Sequence, residues 1–190
     1  MSTDTIRTLS FDPGLSTAGW AIGDYTLKTG HLVINRFGEL SPNRYSERSD
    51  VAADVEKYGK RIITLATLRE MVNALYTEYH PDYVAVEDAF YNPTRPTAYA
   101  ALLQWITTVE LYLYFNFQVP LFKIAPKSIK QCISGYGASG KLNVQQSVLS
   151  NKNISFKQKR QLGELREHEG DAIAVNYTFN VEILPGLLAQ

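Results

Sequence analysis

The chain has 190 residues, 45% of them hydrophobic and 12% aromatic, and its 19 basic and 19 acidic side chains leave no net charge. That is enough apolar material for one sizeable core, and too balanced a charge for a surface that is basic throughout. One cysteine, Cys132, excludes an intrachain disulfide and a cysteine-rich metal site, and no apolar run is long enough to span a bilayer.

Residues 5–11, 17–25 and 28–38 read as three strands joined by short turns, a β-meander. Residues 39–52 are polar and read as a loop. Apolar residues at helical spacing from Val55 to Tyr79 predict one helix, which His80-Pro81-Asp82 stops. Tyr83-Val84-Ala85-Val86-Glu87 is an apolar run without alternation, as expected of a central strand covered on both faces. A loop over 88–96, a long apolar helix over 97–117 and a short strand over 121–124 follow. Pro126 suits the first turn of a helix continuing to Ser134, and a glycine-rich turn over 135–140 leads into another helix from Lys141 to Ser150. Residues 151–163 read as irregular and basic, a last helix as running from about Glu164 to Phe179, and 181–190 as a tail on a single domain of residues 1–180. The expected fold class is α/β, a five-stranded mixed sheet of a three-strand antiparallel meander plus two parallel strands, flanked by helices.

Two strands in this plan end on a carboxylate. Phe11-Asp12-Pro13-Gly14 closes the first and Glu87 closes the fourth. If those strands lie side by side and parallel, Asp12 and Glu87 meet at the carboxyl rim of the sheet, where α/β folds bind their ligands. On the last helix, His168 and Asp171 are three residues apart and so share a face. Such an oxygen-rich set repels itself unless a hard cation such as Mg²⁺ or Mn²⁺ is present. Glu164, Glu167 and Glu169 lie near enough to replace His168, and Asp88 is ranked below Glu87 because successive strand residues face opposite ways. From Lys123 to Gly163 there are eight basic residues and no acidic one, a segregation suited to holding a polyanion.

Four segments together resemble the RuvC-type Holliday junction resolvases of the RNase H-like superfamily: Phe-Asp-Pro-Gly-Leu-Ser-Thr-Ala-Gly-Trp-Ala over 11–21, Pro-Asp-Tyr-Val-Ala-Val-Glu-Asp-Ala-Phe over 81–90, the helix, glycine turn and lysine over 129–145, and His-Glu-Gly-Asp-Ala-Ile-Ala-Val over 168–175. The resemblance implies an RNase H-like fold and a homodimeric, Mg²⁺-dependent endonuclease with two ions per active site, for which Mn²⁺ can substitute. Its substrate would be four-way DNA, cut by symmetric paired nicks that leave 5′-phosphate and 3′-hydroxyl ends. It puts Asp12, Glu87, His168 and Asp171 on metal-binding positions, His168 standing where many members have Asp. It puts Lys141 beside the scissile phosphate, Lys127, Lys130 and Lys141 on the DNA backbone, and Phe90 on an aromatic that opens the junction centre. A bacterial or phage-infected cytoplasm is the expected location, with no membrane partner. A related nuclease acting on forks or RNA:DNA hybrids, or a non-catalytic branched-DNA-binding protein, would carry the same fold.

Overall fold

The structure, a computed structural model, describes residues 4–14, 16–94, 96–157 and 165–189, with the backbone alone at Lys141. Strands β1 (Thr5–Asp12), β2 (Ala18–Thr26) and β3 (His31–Leu40) form the antiparallel meander, and β4 (Tyr83–Glu87) and β5 (Leu121–Ile124) add to the free side of β1 in parallel. The sheet has six strands rather than five, in the order β5-β4-β1-β2-β3-β6. The sixth, β6 (Ile154–Phe156), lies in the stretch expected to be irregular and pairs in parallel with β3. Ile154 is buried in the core, and the pairing is locked at both ends by Leu32 N–H to Asn153 O (2.8 Å) and Lys157 N–H to Ile34 O (2.9 Å). Three residues are too few to display a period, so this strand exists through its partner rather than through its own pattern.

Helices cover both faces of the sheet. On one, α3 (Lys60–Tyr79) and α4 (Pro96–Phe117) cover a core in which Leu9, Phe11, Val84, Val86, Leu68 and Trp105 are fully buried. Trp105 meets Phe11 edge to face, with ring centroids 5.5 Å apart. On the other, α5 (Pro126–Ser134), α6 (Lys141–Ser150) and α7 (Glu167–Thr178) close over Ala21, Ile34 and Ala85. Strand alternation assigns odd-numbered β1 residues to the first face and even-numbered ones to the second, so Thr8, Ser10 and Asp12 point toward α7. Beneath α7 the polar residues satisfy one another. Ser10 Oγ donates to Ala172 O (2.8 Å), and Asn176 Nδ2 donates to Thr8 O (2.8 Å). Buried polar groups paired in this way fix the register of the helix on the sheet.

Three further expectations need correction. The polar loop over 39–52 holds a short helix α1 (Pro42–Tyr45) and a 3₁₀ turn (Ser49–Val51), pinned by Thr64 Oγ1 donating to Asn43 Oδ1 at 3.0 Å. The single helix expected from Val55 to Tyr79 is two, α2 (Ala52–Tyr58) and α3, because Gly59 has φ +85°, which no helix continues through. The C-terminal segment is not a loose tail. A π-helical turn (Phe179–Ile183) and α8 (Leu184–Leu188) extend α7, and Phe179 and Leu184 are fully buried in the core. The expected start of the last helix at Glu164 lies outside the described residues, and α7 begins at Glu167. No described helix is long and apolar enough to cross a membrane.

Candidate active site

Asp12 and Glu87 reach the same rim because of register. Phe11 pairs with Val86 across parallel strands, so the next residue of each, Asp12 and Glu87, leaves the sheet in the same row and on the face that α7 covers. The helix contributes from its first turn, where His168 and Asp171 face this rim. That approach depends on Gly19, the β2 partner of Asp12: a Cβ at Gly19 would stand 1.7 Å from His168 O. Two ties hold the helix start. Glu169, buried, accepts Arg166 N–H at 2.9 Å, and the Arg166 guanidinium donates to Glu39 Oε2 at 2.6 Å.

All four predicted residues, Asp12, Glu87, His168 and Asp171, line one cleft of about 270 Å³, with Lys130, Asp88 and Phe90 at its sides and Leu102, Ile129 and Val144 among its walls. Of the alternatives to His168, Glu167 and Glu169 are not among its lining residues, and Glu164 lies outside the described residues. Asp88 lines it although it follows Glu87: β4 ends at Glu87, the Asp88 N–H donates to Ile124 O and its carboxylate accepts Ala89 N–H, both at 2.8 Å, so strand alternation no longer sets its direction. Gly19 and the Glu39–Arg166 tie escaped the reading of the sequence. The Ala-Gly in β2 was the available signal, since glycine inside a strand marks a close approach of another backbone.

His168 Nδ1 lies 2.5 Å from Asp12 Oδ2. This hydrogen bond holds the imidazolium form, and despite the opposing effect of burial, the negative charges of Asp12, Glu167 and Glu39 add to it, so the His168 pKa is raised above its ordinary value. With this pair formed, no group of three His, Cys, Asp or Glu side chains among the described residues is gathered tightly enough to hold an ion as it stands. The donor set itself, carboxylates and one imidazole turned into one cleft, is that of a hard divalent cation, which would replace the proton that His168 and Asp12 share. Among the described residues no Ser, Thr, Tyr or Cys lines the cleft, and burial pushes the Cys132 thiol up to about 11. Among the described lining residues there is thus no hydroxyl or thiol to act as nucleophile.

The predicted DNA-contacting residues gather nearby. Lys130 and Phe90 border the cleft, and Lys127 joins them around a neighbouring one. Lys141 begins α6 after the glycine-rich turn, and its side chain lies outside the described residues. The basic run does not form one face. Lys123 is paired with Glu110 on α4 at 2.8 Å, Lys157 lies beside Arg7 and Arg36 in a separate cleft, and Lys159 and Arg160 lie outside the described residues.

The family model of crossover junction endodeoxyribonuclease RuvC matches residues 8–179. The chain belongs to the RuvC family. The RuvC of Alkaliphilus oremlandii is 29% identical over 147 residues, 77% of this chain and 79% of that protein, and the RuvC of Cytophaga hutchinsonii is 26% identical over 165 residues, 87% and 73%. The fold is similar to that of Thermus thermophilus RuvC solved in complex with a Holliday junction substrate, with a TM-score of 0.70, 17% identity, and coverage of 95% of this chain and 96% of that one.

Proposed function

We propose that this RuvC-family chain resolves four-way DNA junctions, or closely related branched DNA, as a divalent-metal-dependent endonuclease. The observation that carries this reading is the meeting of Asp12, Glu87, His168 and Asp171 in one cleft whose described lining residues include no hydroxyl or thiol nucleophile. Asp12, Glu87, Asp171 and His168 would hold two Mg²⁺ ions, or Mn²⁺ in their place. Bound there, the ions supply charge neutralisation at phosphorus and a water acidic enough to attack it, which gives 5′-phosphate and 3′-hydroxyl ends. Asp12, at the strand end before the Pro13-Gly14 turn, would be the central carboxylate of that set. The hydrogen bond between His168 and Asp12 would have to open for both groups to serve as ligands. Lys130 at the side of the cleft, with Lys127 and Lys141, neutralises backbone phosphates and positions the strand without reading bases. Phe90, 70% exposed, would enter the opened junction centre.

A four-way junction has near two-fold symmetry, and a C₂ homodimer presents two clefts to two strands, which yields paired nicks. Leu103, Leu111, Tyr114 and Phe115 are 39%, 50%, 63% and 75% exposed along one stripe of α4, and we assign the dimer contact to it. Sedimentation of the chain as a monomer at micromolar concentration contradicts that assignment. The location that suits this activity is a bacterial or phage-infected cytoplasm. Cleavage of a mobile four-way junction, a fork, an RNA:DNA hybrid and linear duplex, each with and without Mg²⁺, tests the function. Paired nicks in the junction alone, dependent on metal, are the expected result, and preferential cutting of the hybrid or the linear duplex refutes it.

A further inference from the structure

Three clefts follow one another along one side of the molecule. The carboxylate cleft shares Phe90 and Lys130 with a second, of about 500 Å³, and the second shares Tyr136 with a third, of about 430 Å³. The third is uncharged and polar, with Ser139, Asn143 and Gln146 among its lining residues. Shared residues make this a continuous track that starts at the candidate metal site.

The middle cleft has an unusual composition for a protein surface. Two large aromatic rings border it, Phe90 and Tyr136, which are 70% and 66% exposed, and the remaining wall includes Lys127 and Lys130. Neither lysine pairs with a carboxylate among the described residues. Rings left in water forgo the free energy that contact with another flat apolar surface recovers. Unpaired lysines beside them ask for an anion.

The loop that carries Tyr136 is also braced from within. Gln131 Nε2 donates to Gly135 O at 2.8 Å, Gln131 Oε1 accepts Gly137 N–H at 3.0 Å, and Ser134 and Ser139 share a hydrogen bond of 2.7 Å. The ring is therefore presented on a fixed turn, and little conformational entropy is lost when something stacks on it.

We infer that the middle cleft is a subsite for a single unpaired nucleobase of the strand being cut. Tyr136 stacks on the base, Phe90 closes the side next to the carboxylate cleft, and Lys127 and Lys130 hold the flanking phosphates. A base meets all three requirements at once, since it is flat and apolar on its faces, is tethered to anions on both sides, and belongs to the same chain as the phosphate in the neighbouring cleft. The hydroxyl and amide groups of the third cleft then meet the edge of the next nucleotide, where such side chains discriminate among bases. The inference rests on the junction-nuclease reading, because it makes the occupant part of that substrate.

The test uses 2-aminopurine placed at successive positions around the cut in a four-way junction, and in a single-stranded oligonucleotide, with Ca²⁺ in place of Mg²⁺ so that binding is read without cleavage. At one position next to the cut, binding by the wild-type chain is expected to change the fluorescence. Tyr136→Ala is expected to abolish that change and weaken binding on the order of tenfold, whereas Tyr136→Phe, which keeps the ring, retains both. The residue is exposed, so the variants fold, and equal thermal melts verify it. If Tyr136→Ala leaves fluorescence and affinity unchanged at every position while the wild-type chain cuts junctions in Mg²⁺, the subsite is refuted and the nuclease reading stands. If the chain cuts no branched DNA, the nuclease reading falls and the subsite for a cut strand falls with it, even where a Tyr136-dependent signal persists on the single strand.

Discussion

The single contact on which the site most depends is the approach of α7 to β2, and Gly19→Ala perturbs it by one methyl group. The added Cβ would be 1.7 Å from His168 O, whereas real Cβ atoms essentially never come within 3.0 Å of a neighbour. Relief therefore requires a shift of about 1.3 Å between β2 and the first turn of α7. The neighbouring atom is backbone, so no side chain can turn away to absorb it. The shift carries His168 and Asp171 away from Asp12 and Glu87, and a displacement of roughly 1 Å at reacting groups costs about 100-fold in rate. Overpacking at one methyl group costs about 1–3 kcal/mol of stability, so the variant remains folded. Single-turnover cleavage of a four-way junction in saturating Mg²⁺, with urea unfolding and junction binding measured alongside, separates the two effects. Cleavage slower by at least about 100-fold with binding within a few fold is expected. Wild-type cleavage by a folded Gly19→Ala chain would refute the claim that this approach builds the site.

Two further outcomes follow from the core and from the edge of the sheet. Trp105→Ala removes a fully buried ring that stacks edge-on against Phe11, and urea unfolding should show a loss of about 3–5 kcal/mol. Trp105 Nε1 has no hydrogen-bond partner among the described residues, so that loss is packing alone, and Trp105→Phe should recover much of it. At the other end of the sheet, burial raises the Asp24 pKa. The hydrogen bonds from Arg7 (2.7 and 3.1 Å) and Asn35, with the charges of Arg7 and Lys157, outweigh burial and hold it below 3.8. A carboxylate with a depressed folded-state pKa stabilises the fold above its unfolded value, and that contribution is lost as pH falls through the folded value. The stability difference between the wild-type chain and Asp24→Asn should thus be constant above pH 3.8 and shrink below it. A difference that grows on acidification would contradict the pairing.

Much of the site was legible because each of its residues interrupts a pattern. Asp12 ends an apolar strand at a Pro-Gly turn, Glu87 ends an unbroken apolar run, and His168 and Asp171 precede the apolar body of a helix. The chain topology allowed β1 and β4 to be parallel neighbours, and the structure pairs them so, in a register that sets the two carboxylates in one row. What was not legible depends on partners distant in sequence. β6 is a strand only because β3 offers it an edge, and residues 179–188 are helical because Phe179 and Leu184 find the core. Glu169, read as a possible ligand, spends its carboxylate on the Arg166 N–H, a capping role that Arg-Glu-His-Glu does not announce. The basic run from Lys123 to Arg160 looked like one surface, yet its charge divides between an ion pair with Glu110, the edge of the carboxylate cleft and the cleft beside Arg7. Linear proximity of charges says little about which face they share.

The central claim is that Asp12 and its companions hold the metal that cuts branched DNA. Asp12→Asn keeps the shape of the side chain and removes its charge, and Asn can still accept a hydrogen bond from His168. Titration of Mg²⁺ into a four-way junction bound by the wild-type or the Asp12→Asn chain therefore tests it directly. Paired, Mg²⁺-dependent nicks by the wild-type chain and none by Asp12→Asn, with junction binding in Ca²⁺ retained, is the result expected. Full Mg²⁺-dependent cleavage by Asp12→Asn would contradict it.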